Sequence, residues 1–141
     1  MGLLNERDRR EVQKQLSALP GPVKLVNFTQ ELACQYCRET EQLLREVKDL
    51  SDQISLEIYN FQIDKEKVAH YQVDKIPATV VEGTKDHGIR FYGIPLGYEF
   101  VTLLEAIKDV SRASTELPAE AKAIVGQIQK PVHLQVFTTP T

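Results

Sequence analysis

Two cysteines three residues apart, Cys34 and Cys37, fall between a short run of β-branched and aromatic residues and a stretch with helical periodicity, and no other feature constrains the fold as strongly. Val23-Lys24-Leu25-Val26-Asn27-Phe28-Thr29 has the character of a largely buried strand. From Cys37 to Leu50 the apolar positions Leu43, Leu44, Val47 and Leu50 recur at helical spacing among charged residues. The spacing predicts a strand that leads into the cysteine loop and a helix that the cysteines open.

The rest of the chain continues the alternation. Residues 5–18 place Val12 and Leu16, with Leu19 just beyond, on one stripe of an amphipathic helix, ended by Pro20-Gly21-Pro22. Residues 54–61 alternate with a period of two, as a strand with one buried face does, and residues 64–71 make a short helix. Residues 76–82 read as a third strand, with Pro77 near its start, where a missing ladder donor is tolerable. A turn over residues 83–88 leads to a fourth strand over 89–93, and so short a loop requires an antiparallel hairpin. Phe100, Leu103, Leu104, Ile107 and Val110 mark a last helical stripe. This order predicts an α/β fold: a mixed four-stranded sheet flanked by helices, with right-handed crossovers in its first half.

A repeat follows. Pro131-Val132-His133-Leu134-Gln135-Val136-Phe137-Thr138 matches Pro22 to Thr29 at proline, valine, leucine, phenylalanine and threonine with constant offset. Extended backwards, the offset pairs Glu11 with Glu120, Leu16 with Val125 and Leu19 with Ile128. The expectation is one unit over residues 1–113 and, over 114–141, a linker, a helix and a strand that begin an incomplete second unit. An unpaired strand over 132–137 would be a template for self-association or for a partner.

With 141 residues the chain suits one domain plus additional elements. Its 17 Lys+Arg against 20 Asp+Glu leave a net charge of −3, which offers no basic field for nucleic acid. The mixed charges of residues 5–10 do not fit a signal peptide, and no apolar run reaches the length that spans a bilayer. The expectation is a soluble cytoplasmic protein with neither membrane nor nucleic-acid partner.

Disulfide exchange needs a thiolate that attacks and a second thiol close enough to resolve the mixed disulfide. Residues three apart at a helix start share a face, and the helix dipole lowers the pKa of the first cysteine. Cys34 is then the nucleophile and Cys37 the shielded, resolving thiol. A zinc site needs about four ligands, whereas the chain has two cysteines and scattered His70, His87 and His133. Inert buried thiols are the other reading, but Cys-x-x-Cys between a strand and a helix is a redox signature. A cis bond at Ile76-Pro77 would free the backbone of Ile76 to pair with an extended substrate. Tyr36 borders the pair as a candidate contact. Asn27 lies near it on the first strand, where an amide cannot relay protons as a carboxylate would. Glu57 reads as a surface carboxylate.

Pro22 to Thr29, Cys34-Gln35-Tyr36-Cys37, Ile76-Pro77-Ala78-Thr79 and the run from Tyr92 to Phe100 together resemble the protein disulfide oxidoreductases of thermophilic archaea and bacteria. These are glutaredoxin-like proteins built of two tandem thioredoxin-fold units. The resemblance implies a thioredoxin-like fold, Cys34 and Cys37 as the catalytic redox pair of the first unit, and Pro77 as a cis-proline facing it. It implies exchange with thiols or disulfides of protein substrates and no cofactor beyond the Cys34–Cys37 disulfide. A flavoprotein reductase is one candidate partner, and the sequence leaves the electron donor open between it and glutathione. A glutathione-dependent glutaredoxin and a non-catalytic interaction module are the alternatives.

Overall fold

The computed structural model describes residues 2–139. Its elements in chain order are α1 (Glu6–Leu16), β1 (Val23–Thr29), α2 (Cys37–Lys48), β2 (Ile54–Asn60), α3 (Lys65–Tyr71), β3 (Ala78–Glu82), β4 (Arg90–Tyr92), α4 (Tyr98–Arg112) and α5 (Ala119–Gly126). The strands form one sheet in the order β2-β1-β3-β4. β1 and β2 run parallel, from Val23↔Ile54 to Thr29↔Asn60, because α2 supplies the crossover that parallel neighbours need. β3 pairs antiparallel with β1, and β4 antiparallel with β3. This is the mixed, helix-flanked sheet that the residue pattern predicts.

Alternation along β1 divides the core. Val23 and Leu25 pack with Val12 and Leu16 of α1, Leu44 and Val47 of α2, and Leu103, Leu104, Ile107 and Val110 of α4. Val26 and Phe28 pack on the other face with Tyr71 at the end of α3, and with Val73, Ala78 and Val80. Phe28, fully buried, meets the rings of Tyr59 and Tyr71 at centroid distances of 5.8 and 5.9 Å. α1 starts where the Asn5 side chain accepts the Asp8 N–H at 2.9 Å, satisfying one free donor of the first turn.

Three expectations are corrected. The third strand starts at Ala78, two residues later than the pattern suggests, since Pro77 has no N–H for a ladder. β2 buries fully only Ile54, because it is an edge strand whose outer side has no neighbouring strand. The C-terminal helix forms as α5, but the strand expected over residues 132–137 does not. A strand exists by its ladder, and none of the described strands pairs with this segment, whose side chains are exposed. The strand edge expected to dock a partner is therefore absent among the described residues. No helix among them is long and apolar enough to cross a membrane.

Candidate functional site

β1 ends at Thr29 and α2 begins at Cys37, so residues 30–36 carry the chain across the end of the sheet. Within this loop Ala33 adopts a left-handed backbone, φ 55°, immediately before Cys34. Such a conformation is uncommon for a residue with a Cβ and occurs where surrounding structure enforces it. Cys34 and Cys37 are joined in a disulfide with Cα atoms 5.6 Å apart. Cys34 is partly exposed, whereas Cys37 is 1% exposed. The first cysteine of the pair thus reaches solvent and the second is buried.

The helix starts at the second cysteine, not the first. Tyr36 is its N-cap with non-helical φ −123° and ψ 16°, which leaves Cys34 in the preceding loop. The Tyr36 carbonyl accepts both the N–H of Thr40 at 2.9 Å and its hydroxyl at 2.7 Å, stapling the first turn. Free N–H groups and the positive end of the dipole thus lie next to the pair. Tyr36 is 45% exposed, and its hydroxyl accepts from Gln35 Nε2 at 3.3 Å.

The register Phe28↔Ala78 sets the start of β3 beside the end of β1, where the cysteine loop departs. The Ile76–Pro77 peptide bond is cis; Pro77 is buried and Ile76 partly buried. The Pro77 carbonyl accepts the N–H of Gly93 at 2.9 Å, which ties this corner to the end of β4. Along the pair itself runs an open cleft of about 1200 Å³ that includes Leu32, Cys34, Cys37, Arg38, Ile58 and Asn60 in its lining.

Asn27 is fully buried, and its Nδ2 donates to the Ala78 carbonyl at 3.1 Å. Glu57 belongs elsewhere. It accepts the Tyr59 hydroxyl at 2.7 Å and stands 3.6 Å from Lys24 Nζ, in line with Tyr59 on the α3 face of the sheet. The Tyr59 hydrogen bond, with help from the Lys24 charge and against desolvation, holds its carboxyl below the usual range. Lys24 also meets Glu82 at 2.8 Å; that hydrogen bond is the main reason its ammonium is held above its ordinary pKa. Two site residues escaped the sequence reading. Alanine gives no signal for the left-handed turn at Ala33, and Thr79 gains interest only when pairing sets it opposite Asn27. Among the described residues no group of three or more His, Cys, Asp or Glu is arranged to hold a metal ion.

The sequence matches the family described as "Thioredoxin domain" over residues 24–105, more than half of the chain. The chain belongs to the thioredoxin-domain family. The F component of the alkyl hydroperoxide reductase of Staphylococcus epidermidis is 28% identical over 144 residues, covering 99% of this chain and 25% of that protein. Its counterpart from Staphylococcus aureus strain NCTC 8325 matches to the same extent. The chain therefore spans about a quarter of the length of these curated relatives. Among solved structures, a protein disulfide oxidoreductase from Aeropyrum pernix superposes with TM-score 0.77 at 24% identity, covering 87% of this chain and 54% of that one. The NTD_N/C domain of the Enterococcus faecalis alkylhydroperoxide reductase superposes with TM-score 0.75 at 25% identity, covering 85% and 58%. This is a thioredoxin-like α/β fold with a bonded Cys-x-x-Cys pair. Fold, pair and relatives together support thiol–disulfide redox chemistry.

Proposed function

We propose that this chain is a dithiol–disulfide oxidoreductase acting on protein disulfides, with Cys34 as the attacking thiol and Cys37 as the resolving one. The observation that carries the reading is the asymmetry of the pair: Cys34 is partly exposed in a loop at a helix start, and Cys37 is buried one step inside it. The thiolate of Cys34 attacks one sulfur of a substrate disulfide and displaces the other as a thiolate, leaving a mixed disulfide. Cys37 then gives up its proton and attacks Cys34 Sγ. The second substrate thiolate leaves and takes a proton, and two electrons have passed from the dithiol to the substrate. The reverse sequence oxidises a substrate dithiol.

In this reading Tyr36 and the backbone of Ile76, next to Pro77, border the substrate. The start of β3 lies beside the cysteine loop, which supports that placement. The two sulfurs themselves carry the electrons, so the exchange calls for no organic cofactor or metal. The relatives' name, one component of an alkyl hydroperoxide reductase, supports a place in a relay between redox proteins, and a flavoprotein reductase is the proposed donor.

Substitution of each cysteine tests the assignment. Cys37→Ser is expected to accumulate mixed disulfides through Cys34, visible as adducts by mass spectrometry. Cys34→Ser is expected to abolish reduction of insulin disulfides. Equal activity in both variants rejects the roles given to the pair.

A further inference from the structure

Two buried side-chain oxygens among the described residues lack a hydrogen-bond partner, Asn27 Oδ1 and Thr79 Oγ1. Both residues are fully buried. They are also register partners across β1 and β3, so their side chains leave the same face of the sheet as a cross-strand pair. Buried polar atoms without partners are rare, and two that face one another point to a shared purpose.

That face is the one α2 covers. Leu25, two residues before Asn27, and Val81, two after Thr79, pack with Leu44 and Val47 of α2, and the strand period of two carries Asn27 and Thr79 onto the same side. α2 is the crossover between parallel β1 and β2, so its first turn lies over the C-terminal end of β1, where Asn27 is. Cys37 opens that turn and is buried on the same helix face as Thr40 and Leu44. The unpartnered oxygens and the buried Cys37 thus lie on the same side of the sheet, towards the end of β1 from which the cysteine loop departs. The donation from Asn27 Nδ2 to the Ala78 carbonyl fixes the amide and leaves Oδ1 as the free acceptor.

We propose that Asn27 is a redox-positioning residue: its Oδ1 accepts the S–H of Cys37 when the pair is reduced and is left unpaired when the disulfide forms, with the Thr79 hydroxyl as a second contact to the same thiol. The inference rests on the reading of the pair as redox-active. Reduction adds two electrons and two protons and turns one S–S bond into two S–H groups. A disulfide sulfur has no hydrogen to donate, whereas a thiol has one, so the acceptor is satisfied only in the reduced state. An amide can hold that proton in place but cannot remove it, which separates this role from proton transfer. The outcome is a reduced form favoured by the Asn27 hydrogen bond, which the oxidised form lacks, with a smaller contribution from the Thr79 contact.

The test compares the full chain with its Asn27→Ala and Thr79→Val variants, each equilibrated against mixtures of reduced and oxidised glutathione. Asn27→Ala is expected to shift the equilibrium about tenfold towards the disulfide, the size of one buried hydrogen bond gained or lost, which is about 30 mV. Thr79→Val is expected to shift it the same way by a smaller factor. Linkage requires Asn27→Ala to lower the folding equilibrium constant of the reduced protein about tenfold more than that of the oxidised protein. A purely structural amide weakens both forms equally, and that result, with an unmoved potential, overturns the proposal.

A further readout does not depend on how well the alanine variant folds. In Cys34→Ser, Cys37 carries the chain's sole thiol, and its S–H infrared stretch is expected at a hydrogen-bonded frequency. A free-thiol frequency overturns the proposal. A pair that glutathione cannot reduce at all sinks the redox reading together with this one; a pair that cycles with an unmoved potential sinks this one alone.

Discussion

Asp86 is gripped through both of its carboxylate oxygens. The Arg90 guanidinium donates to Oδ2 at 2.6 Å and to Oδ1 at 2.9 Å, and the N–H of Gly88 donates to Oδ1 at 2.8 Å. Arg90 also donates through Nε to the Tyr71 carbonyl at 3.0 Å, so the pair ties the β3–β4 turn to the end of α3. The Arg90 hydrogen bond, only partly offset by desolvation, lowers the Asp86 carboxyl from its ordinary 3.8 to about 2. A depressed native pKa means that the unfolded chain binds the proton more tightly. The stabilisation is therefore fully present above about pH 4 and is lost as pH falls through 2. Partial exposure screens the pair, which leaves about 1 kcal/mol at pH 7. Asp86→Asn is expected to lose that amount in urea unfolding at pH 7, with the gap to the parent narrowing below pH 4. A gap independent of pH would assign the loss to geometry instead of charge. In the sequence, Asp86 and Arg90 are two charges in a turn; their grip exists only once α3 ends beneath them. Asn27 was legible as an amide on the strand before the cysteines, whereas Thr79 was not, because strand register cannot be read from alternation alone.

At the scale of elements, the end of α4 is wedged between two close backbone approaches. A Cβ built on Gly21 would lie 2.6 Å from the Ser111 carbonyl oxygen, and one on Gly83 would lie 2.6 Å from that of Val110. The Ser111 hydroxyl accepts the N–H of Gly21 at 3.0 Å and donates to its carbonyl at 2.7 Å, binding the α1–β1 loop to the helix. Backbone cannot retreat as a flexible side chain can, so Gly83→Ala is expected to destabilise by about 1–3 kcal/mol, measured as a lower urea midpoint. Gly126→Ala, with nothing within 4 Å, serves as the neutral control. Periodicity made α1, α2 and α4 legible because each buries one stripe in the larger core. It also places the start of α2 at Cys37; the placing of Cys34 at the helix start rests on the Cys-x-x-Cys spacing, which carries no information on the backbone angles at Ala33 and Tyr36 that keep Cys34 in the loop. The C-terminal strand failed for a related reason. Local resemblance to β1 supplies the residues of a strand but not its neighbour.

At the scale of the whole molecule, burial stops well before the end of the described chain. α4 contributes Leu103, Leu104, Ile107 and Val110 to the core, whereas no residue of α5 is buried. Ile124, Val125, Ile128, Val132, Leu134, Val136 and Phe137 are each at least 55% exposed. Apolar stabilisation scales with the area removed from water, so these side chains add almost nothing to the fold despite their hydrophobicity. A chain ended after Leu117 keeps the sheet, both core clusters, the disulfide and the Arg112–Glu116 ion pair. Its unfolding free energy in urea is expected to match the full chain within about 0.5 kcal/mol, as for changes at a surface that buries nothing. Its reduction of insulin is expected to be undiminished. A loss of several kcal/mol would mean that residues 118–141 pack against the redox unit in solution, and would move the expected boundary near residue 113 towards the C-terminus. The seven exposed apolar side chains make the converse measurement informative as well: if they associate between copies, the full chain sediments as a concentration-dependent oligomer and the shortened chain does not.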